Sequence, residues 1–163
     1  MVSKNEFLMV MPSRSRVQLA KRAAVLFSKC PYTICVAESE KEVYVLGGCG
    51  NVTTHPDDIS GVGKIRQWVL DNFSENVIVM ADDDVSHAWC SMYRSGFAIT
   101  EPTAVFEILA NAANVTLDLG LHVFGFSQSW DVRKYNATKP LNLCGWVGGG
   151  DWICWKNRIS FFR

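Results

Sequence analysis

Asn76-Val77-Ile78-Val79-Met80-Ala81-Asp82-Asp83-Asp84-Val85 joins an unbroken apolar run to three consecutive carboxylates. The run is rich in β-branched residues and does not alternate, the pattern of a strand covered on both faces in the middle of a parallel sheet. In open α/β sheets the ligand crevice lies beyond the carboxyl ends of the strands, where these acids fall. Adjacent like charges cost stability unless a cation or a hydrogen-bonding ligand compensates them. Oxygen-rich clusters suit Mg2+ or Mn2+, ions that commonly arrive with substrate phosphates. The competing reading is an acidic loop that caps the following turn. The buried strand ahead of the acids favours the metal–phosphate reading.

Toward the amino end, Phe7–Met11 reads as a first buried strand, stopped by Pro12. Ser13-Arg14-Ser15-Arg16 follows as a polar, basic loop whose hydroxyls and guanidinium forks suit a diphosphate. Alternatively Ser13 or Ser15 caps the next helix and the arginines are merely solvated. The spacing predicts a helix over 17–28 with Ala20, Ala24 and Phe27 on one face. Thr33–Ala37 reads as a second buried strand, with Glu38 at its carboxyl end. Glu38 either accepts hydrogen bonds from a base or ribose or belongs to a charged turn ending at Glu42. Val43–Leu46 is a short apolar piece, followed by an irregular segment through Pro56. A helix is expected over 61–73 with Val62, Ile65, Val69 and Phe73 toward the sheet and Lys64 and Arg66 pointing elsewhere. Cations at a helix amino end oppose the macrodipole, so they are misplaced for stability and well placed for an anion.

Beyond the acids, residues 86–96 read as irregular, with Trp89 and Tyr93 lining a site. Pro102 suits the first turn of a third helix with Phe106, Leu109 and Ala113 on its buried face. Leu119–Phe126 is expected as a strand in which His122 is a core residue. Residues 127–139 read as a long polar loop, and long loops in compact domains are often functional. Leu141–Val147 is expected as a further strand, and residues 153–163 as a strand or edge piece. Between them stand Gly148-Gly149-Gly150-Asp151, which match neither a P-loop nor a dinucleotide fingerprint.

The 163 residues show no repeat, linker or low-complexity segment, so a single domain over 1–163 is expected. An apolar share of 48% excludes wholesale disorder. Sixteen Lys and Arg balance sixteen Asp and Glu, which argues against gripping long nucleic acid by bulk charge. The cysteines form no C-x-x-C pair, and Cys35, Cys144 and Cys154 sit among apolar neighbours. With no long apolar leader and no stretch of transmembrane length, a reduced, cytoplasmic setting without membrane contact is expected.

Met9-Val-Met-Pro-Ser-Arg-Ser-Arg16, Thr33-Ile-Cys-Val-Ala-Glu38, Gly61-Val-Gly-Lys-Ile-Arg66 and Val79-Met-Ala-Asp-Asp-Asp-Val85, in that order, resemble the GT-A glycosyltransferases. The likeness is to the small enzymes encoded by bacteriophages, covers the first half of the chain and continues weakly at Lys139-Pro140. It implies a Rossmann-like GT-A fold with a mostly parallel central sheet flanked by helices. It also implies a nucleotide-sugar donor carrying a nucleoside diphosphate, a Mn2+ or Mg2+ ion and, for a viral enzyme, the host cytoplasm. By position, Pro12, Ser13 and Arg16 would sit near the nucleotide with Arg14 beside them, and Glu38 near the base or ribose. Arg66, with Lys64, would meet the nucleotide or diphosphate.

The resemblance further implies that Asp82 faces the ribose or donor sugar and that Asp84 ligates the metal with Asp82 beside it. Asp83 belongs to the same cofactor-side group and is expected to be its most replaceable member, because i and i+2 share a face of an extended chain. The acceptor is a hydroxyl, with a modified base in phage DNA, a protein and a small-molecule glycan as open choices. Inverting members take their catalytic base from an acidic motif after the sugar site. Here Asp151 is the remaining candidate; otherwise the reaction retains configuration or catalysis is impaired. Two other classes stand beside this one: a nucleotidyltransferase, and a nucleotide-sugar or glycan-binding domain that has lost catalysis.

Overall fold

A computed structural model describes residues 7–92, 95–126 and 152–155, with Asn136 and Thr138. The first half builds four parallel strands: β1 (Phe7–Pro12), β2 (Tyr32–Ala37), β3 (Val52–His55) and β4 (Val77–Met80). Between them lie helices α1 (Val17–Leu26), α2 (Lys41–Leu46) and α3 (Val62–Asn72), with a 3-10 turn at Glu38–Glu40 ahead of α2. An antiparallel pair follows, β5 (Ala88–Met92) with β6 (Ser95–Ile99). Next come α4 (Pro102–Asp118), β7 (Val123–Gly125) and β8 (Trp152–Trp155). The main sheet runs β3-β2-β1-β4-β8-β7, with β8 antiparallel to both of its neighbours. This is a small α/β domain with a mostly parallel sheet and Rossmann-like topology.

The unbroken apolar strands are buried on both faces because the pleat sends their side chains alternately to two cores. Phe7, Met9, Met11, Ile34, Val36, Val77 and Val79 meet α1 and α4 on one side, where the rings of Phe7 and Phe106 stack 5.8 Å apart. Val10, Cys35, Ile78 and Met80 meet Val69 and Leu70 of α3 on the other. The chain steps from β1 outward to β3, then returns past β1 to β4. Right-handed crossovers in opposite directions demand helices on opposite faces, as α1 and α3 are. The return makes the carboxyl ends of β1 and β4 the topological switch point of the sheet.

Several expectations need correction. The short apolar piece 43–46, to which its pattern assigns no element, forms most of α2. The irregular segment before Pro56 contains β3, and residues 86–96 include β5 and the start of β6. On α3 the buried stripe is Arg66, Val69 and Leu70, whereas Val62 is 63% exposed. Positions 66, 69, 70 and 73 share a face at 3.6 residues per turn, and that face carries the arginine inward. The strand expected over 119–126 shrinks to β7, because the turn that closes α4 takes up Leu119 to Leu121, whose N–H groups bond back to Val115, Leu117 and Thr116. His122 is exposed in the bend before β7, not buried. The carboxyl-terminal strand β8 is interior, between β4 and β7. The strand expected over 141–147 and the loop over 127–139, apart from Asn136 and Thr138, lie outside the described residues, as do Tyr93 and the glycines 148–150.

Candidate functional site

At the switch point the loop after β1 faces the loop after β4. Pro12 ends β1 in register with Cys35, and the Ser13 N–H continues the ladder to the Cys35 carbonyl at 3.0 Å. That turns the buried Ser13 side chain under the loop. Its hydroxyl donates to Asp83 Oδ2 at 2.5 Å and lies 2.6 Å from the Tyr44 hydroxyl. The next residues are set by α2 and the turn before it. Ser15 takes a left-handed φ of 56°, a conformation costing a non-glycine residue about 1 kcal/mol. Glu40 holds it there, accepting from the Ser15 N–H at 3.1 Å and from its hydroxyl at 2.7 Å. The Arg16 N–H donates to the Tyr44 hydroxyl at 3.1 Å.

The three carboxylates divide by environment. Asp83 is fully buried, whereas the side chains of Asp82 and Asp84 are 44% and 55% exposed. Asp82 and Asp84 share an exposure that Asp83 lacks, but the three acids lie past the end of β4 with Asp83 and Asp84 in a turn, not in extended chain. The expected replaceability of Asp83 fails, since it points into the protein as the anchored member. Its Oδ1 lies 2.6 Å from Arg16 Nη2, an ion-pair contact without hydrogen-bond alignment. Burial pushes the Asp83 carboxyl above its ordinary range, against the lowering effects of the Ser13 hydrogen bond and the Arg16 charge. Burial likewise raises the Tyr44 phenol. Arg16 Nη1 also reaches Asp84 at 3.5 Å, and the buried Arg66 meets Asp82 at 3.0 Å. The self-repulsion of the acids is thus compensated within the chain, by guanidinium groups from the starts of α1 and α3.

Of the residues singled out from sequence, Ser13, Arg16, Arg66, Asp82, Asp83 and Asp84 come together here. The expectation that Arg66 points away from the sheet is wrong, since it is buried under Asp82. Arg14 is exposed in the β1 loop and Lys64 is exposed in the first turn of α3, and neither makes an ion pair among the described residues. The amino ends of α1 and α3 have no side-chain cap and no acid in their first turns. Glu38 is exposed at the start of its turn; the acid that reaches the β1 loop from there is Glu40. Asp151 lies outside the described residues. Sequence reasoning misses Tyr44 and Glu40, because Tyr44 lies in a short apolar piece and Glu40 in a charged turn, neither of which signals a contact with the β1 loop.

Among the described residues, no group of three or more His, Cys, Asp or Glu side chains is placed to hold a metal by itself. What the site offers an ion is two outward carboxylates, Asp82 and Asp84, beside basic side chains. Such a donor set fits a cation that shares its coordination with substrate phosphates, not one caged by protein alone. The chain matches no protein-family model, and a search of curated proteins returns no match either. Among the described residues no helix is long and apolar enough to cross a membrane.

Proposed function

We propose that the chain is a metal-dependent glycosyltransferase of the GT-A type, binding a nucleotide-sugar at the switch point and passing the sugar to an acceptor hydroxyl. The observation carrying this reading is the meeting of Ser13, Arg16 and the acids Asp82–Asp84 where β1 and β4 end. Arg14 and Lys64, at two uncapped helix starts, supply positive charge for a diphosphate. Asp84 with Asp82 would hold Mn2+ or Mg2+, which when bound offsets charge on the departing diphosphate. Arg16 and Arg66 orient those carboxylates before any ligand arrives. Asp151 is the proposed base toward the acceptor, for which a modified base in DNA is one candidate.

The test is a set of melting curves with nucleoside mono-, di- and triphosphates, with and without Mn2+. A nucleoside diphosphate with Mn2+ should raise Tm by mass action, and transfer or hydrolysis of the matching nucleotide-sugar should follow. Preferential stabilisation by triphosphates would favour nucleotidyl transfer instead, and stabilisation without turnover would favour a binding domain. Arg14→Ala and Lys64→Ala should weaken the diphosphate while moving unfolding free energy by less than about 0.5 kcal/mol, as exposed positions do. Unchanged affinity in both variants would remove the anion role of the helix starts.

A further inference from the structure

The hydrogen bonds beneath the site run in one direction. Ser13 has a single hydroxyl proton, and Asp83 Oδ2 takes it. The contact between Ser13 and Tyr44 must then be donated by the tyrosine. The Tyr44 oxygen, its own proton spent, accepts from the backbone N–H of Arg16. From Arg16 the sequence of donors therefore passes through Tyr44 and Ser13 to Asp83, and the other oxygen of Asp83 meets the guanidinium of Arg16 again. The ring begins and ends on one residue. It fixes both the backbone and the head of Arg16, whose side chain nonetheless stays 48% exposed.

We propose that Tyr44 is a positioning residue that sets the Arg16 guanidinium for an incoming diphosphate. With an exposure of 0%, Tyr44 can touch no ligand and acts only through the groups it bonds. Among the described residues, its hydroxyl is the group of α2 that hydrogen-bonds both the Ser13 and the Arg16 ends of the β1 loop. Without it, Ser13 keeps Asp83 and Glu40 keeps Ser15, but the Arg16 N–H loses its acceptor, and the Arg16 backbone its tie to α2. A planar guanidinium binds phosphate through paired N–H groups, so its orientation governs affinity more than its charge does. The choice of a diphosphate rests on the function proposed above; the ordering of Arg16 by Tyr44 does not.

The experiment is a double-mutant cycle on the full chain, with binding of inorganic pyrophosphate measured by calorimetry at low salt. Tyr44→Phe keeps the buried ring and removes only the hydroxyl. It should weaken pyrophosphate roughly tenfold in the parent protein and have no further effect in an Arg16→Gln background, the non-additivity expected of coupled groups. Arg16→Lys replaces Arg16→Gln if the latter does not fold. Equal losses in both backgrounds, or no loss in the parent, would overturn the proposal. A second readout needs no ligand: the NMR order parameter of the Arg16 Nε–Hε group should be high in the parent and fall in Tyr44→Phe. An unchanged order parameter also overturns it. A parent protein with an ordered Arg16 that fails to bind pyrophosphate would refute the diphosphate reading, and the order parameter would still decide the role of Tyr44.

Discussion

Asp83 and Asp84 are adjacent in sequence and opposite in environment. Asp83→Ala leaves the buried Ser13 hydroxyl without its carboxylate acceptor and removes the nearer of the two acids that meet Arg16, and should cost about 2 kcal/mol, the scale for breaking a buried charged hydrogen bond. Asp84→Ala removes only a long, solvated contact with Arg16, so unfolding in urea should shift by less than about 0.5 kcal/mol. Comparable losses in the two variants would mean that Asp83 is not the anchored member. At this scale the sequence was half legible. Charge repulsion announced that something must compensate the three acids, but which of them turns inward is decided by the turn at Asp83–Asp84 that follows β4. Which cations compensate was hidden, because Arg66 becomes a buried partner only through the phase of α3 on the sheet. Tyr44 was hidden for a different reason: its hydroxyl matters only once α2 is folded against the β1 loop.

Among the elements, α4 opens most conventionally. Glu101 caps it, accepting from the Thr103 N–H at 3.0 Å and the Ala104 N–H at 2.7 Å, with Pro102 in the first turn. Those hydrogen bonds hold the Glu101 carboxyl below its ordinary 4.5. A depressed folded value means that the cap contributes fully above pH 4.5 and is lost as pH falls through the folded value. The stability difference between the parent and Glu101→Gln should accordingly be constant from neutral pH down to about 4.5 and shrink below it as pH falls through the folded value. A difference independent of pH across that window would remove the ionised cap. The pair Glu101-Pro102 was readable as a helix start, whereas the ends of α1 and α3 carry no such signature. Gly61, which precedes α3 with a φ of 93°, leaves that helix start bare. The missing caps are themselves informative, since they leave backbone N–H groups pointing at the end of the sheet where Arg14 and Lys64 lie.

For the whole molecule, the buried character of β1, β2 and β4 was visible because a strand covered on both faces has no polar side to alternate. Ile78, with no exposed surface, stands on the face that meets α3. Ile78→Ala should lower unfolding free energy by about 2–5 kcal/mol through lost burial and a residual cavity, measurable as a drop in the urea midpoint. A cost below 1 kcal/mol would mean that the sheet is not enclosed on that side. The strand order was not visible. Crossover direction leaves no trace in local patterning, and β8 reaches β4 from more than seventy residues downstream, at Val77 opposite Trp155. That pairing has a consequence for synthesis. Strands β1 to β4 emerge from the ribosome with every parallel partner already made, but the outer edge of β4 finds its neighbour only when residues 152–155 appear. Until then the strand that delivers the acids is a bare, apolar edge, open to pairing with another chain. A chain cut before residue 152 should therefore self-associate more readily than the chain that carries β8, measurable by sedimentation.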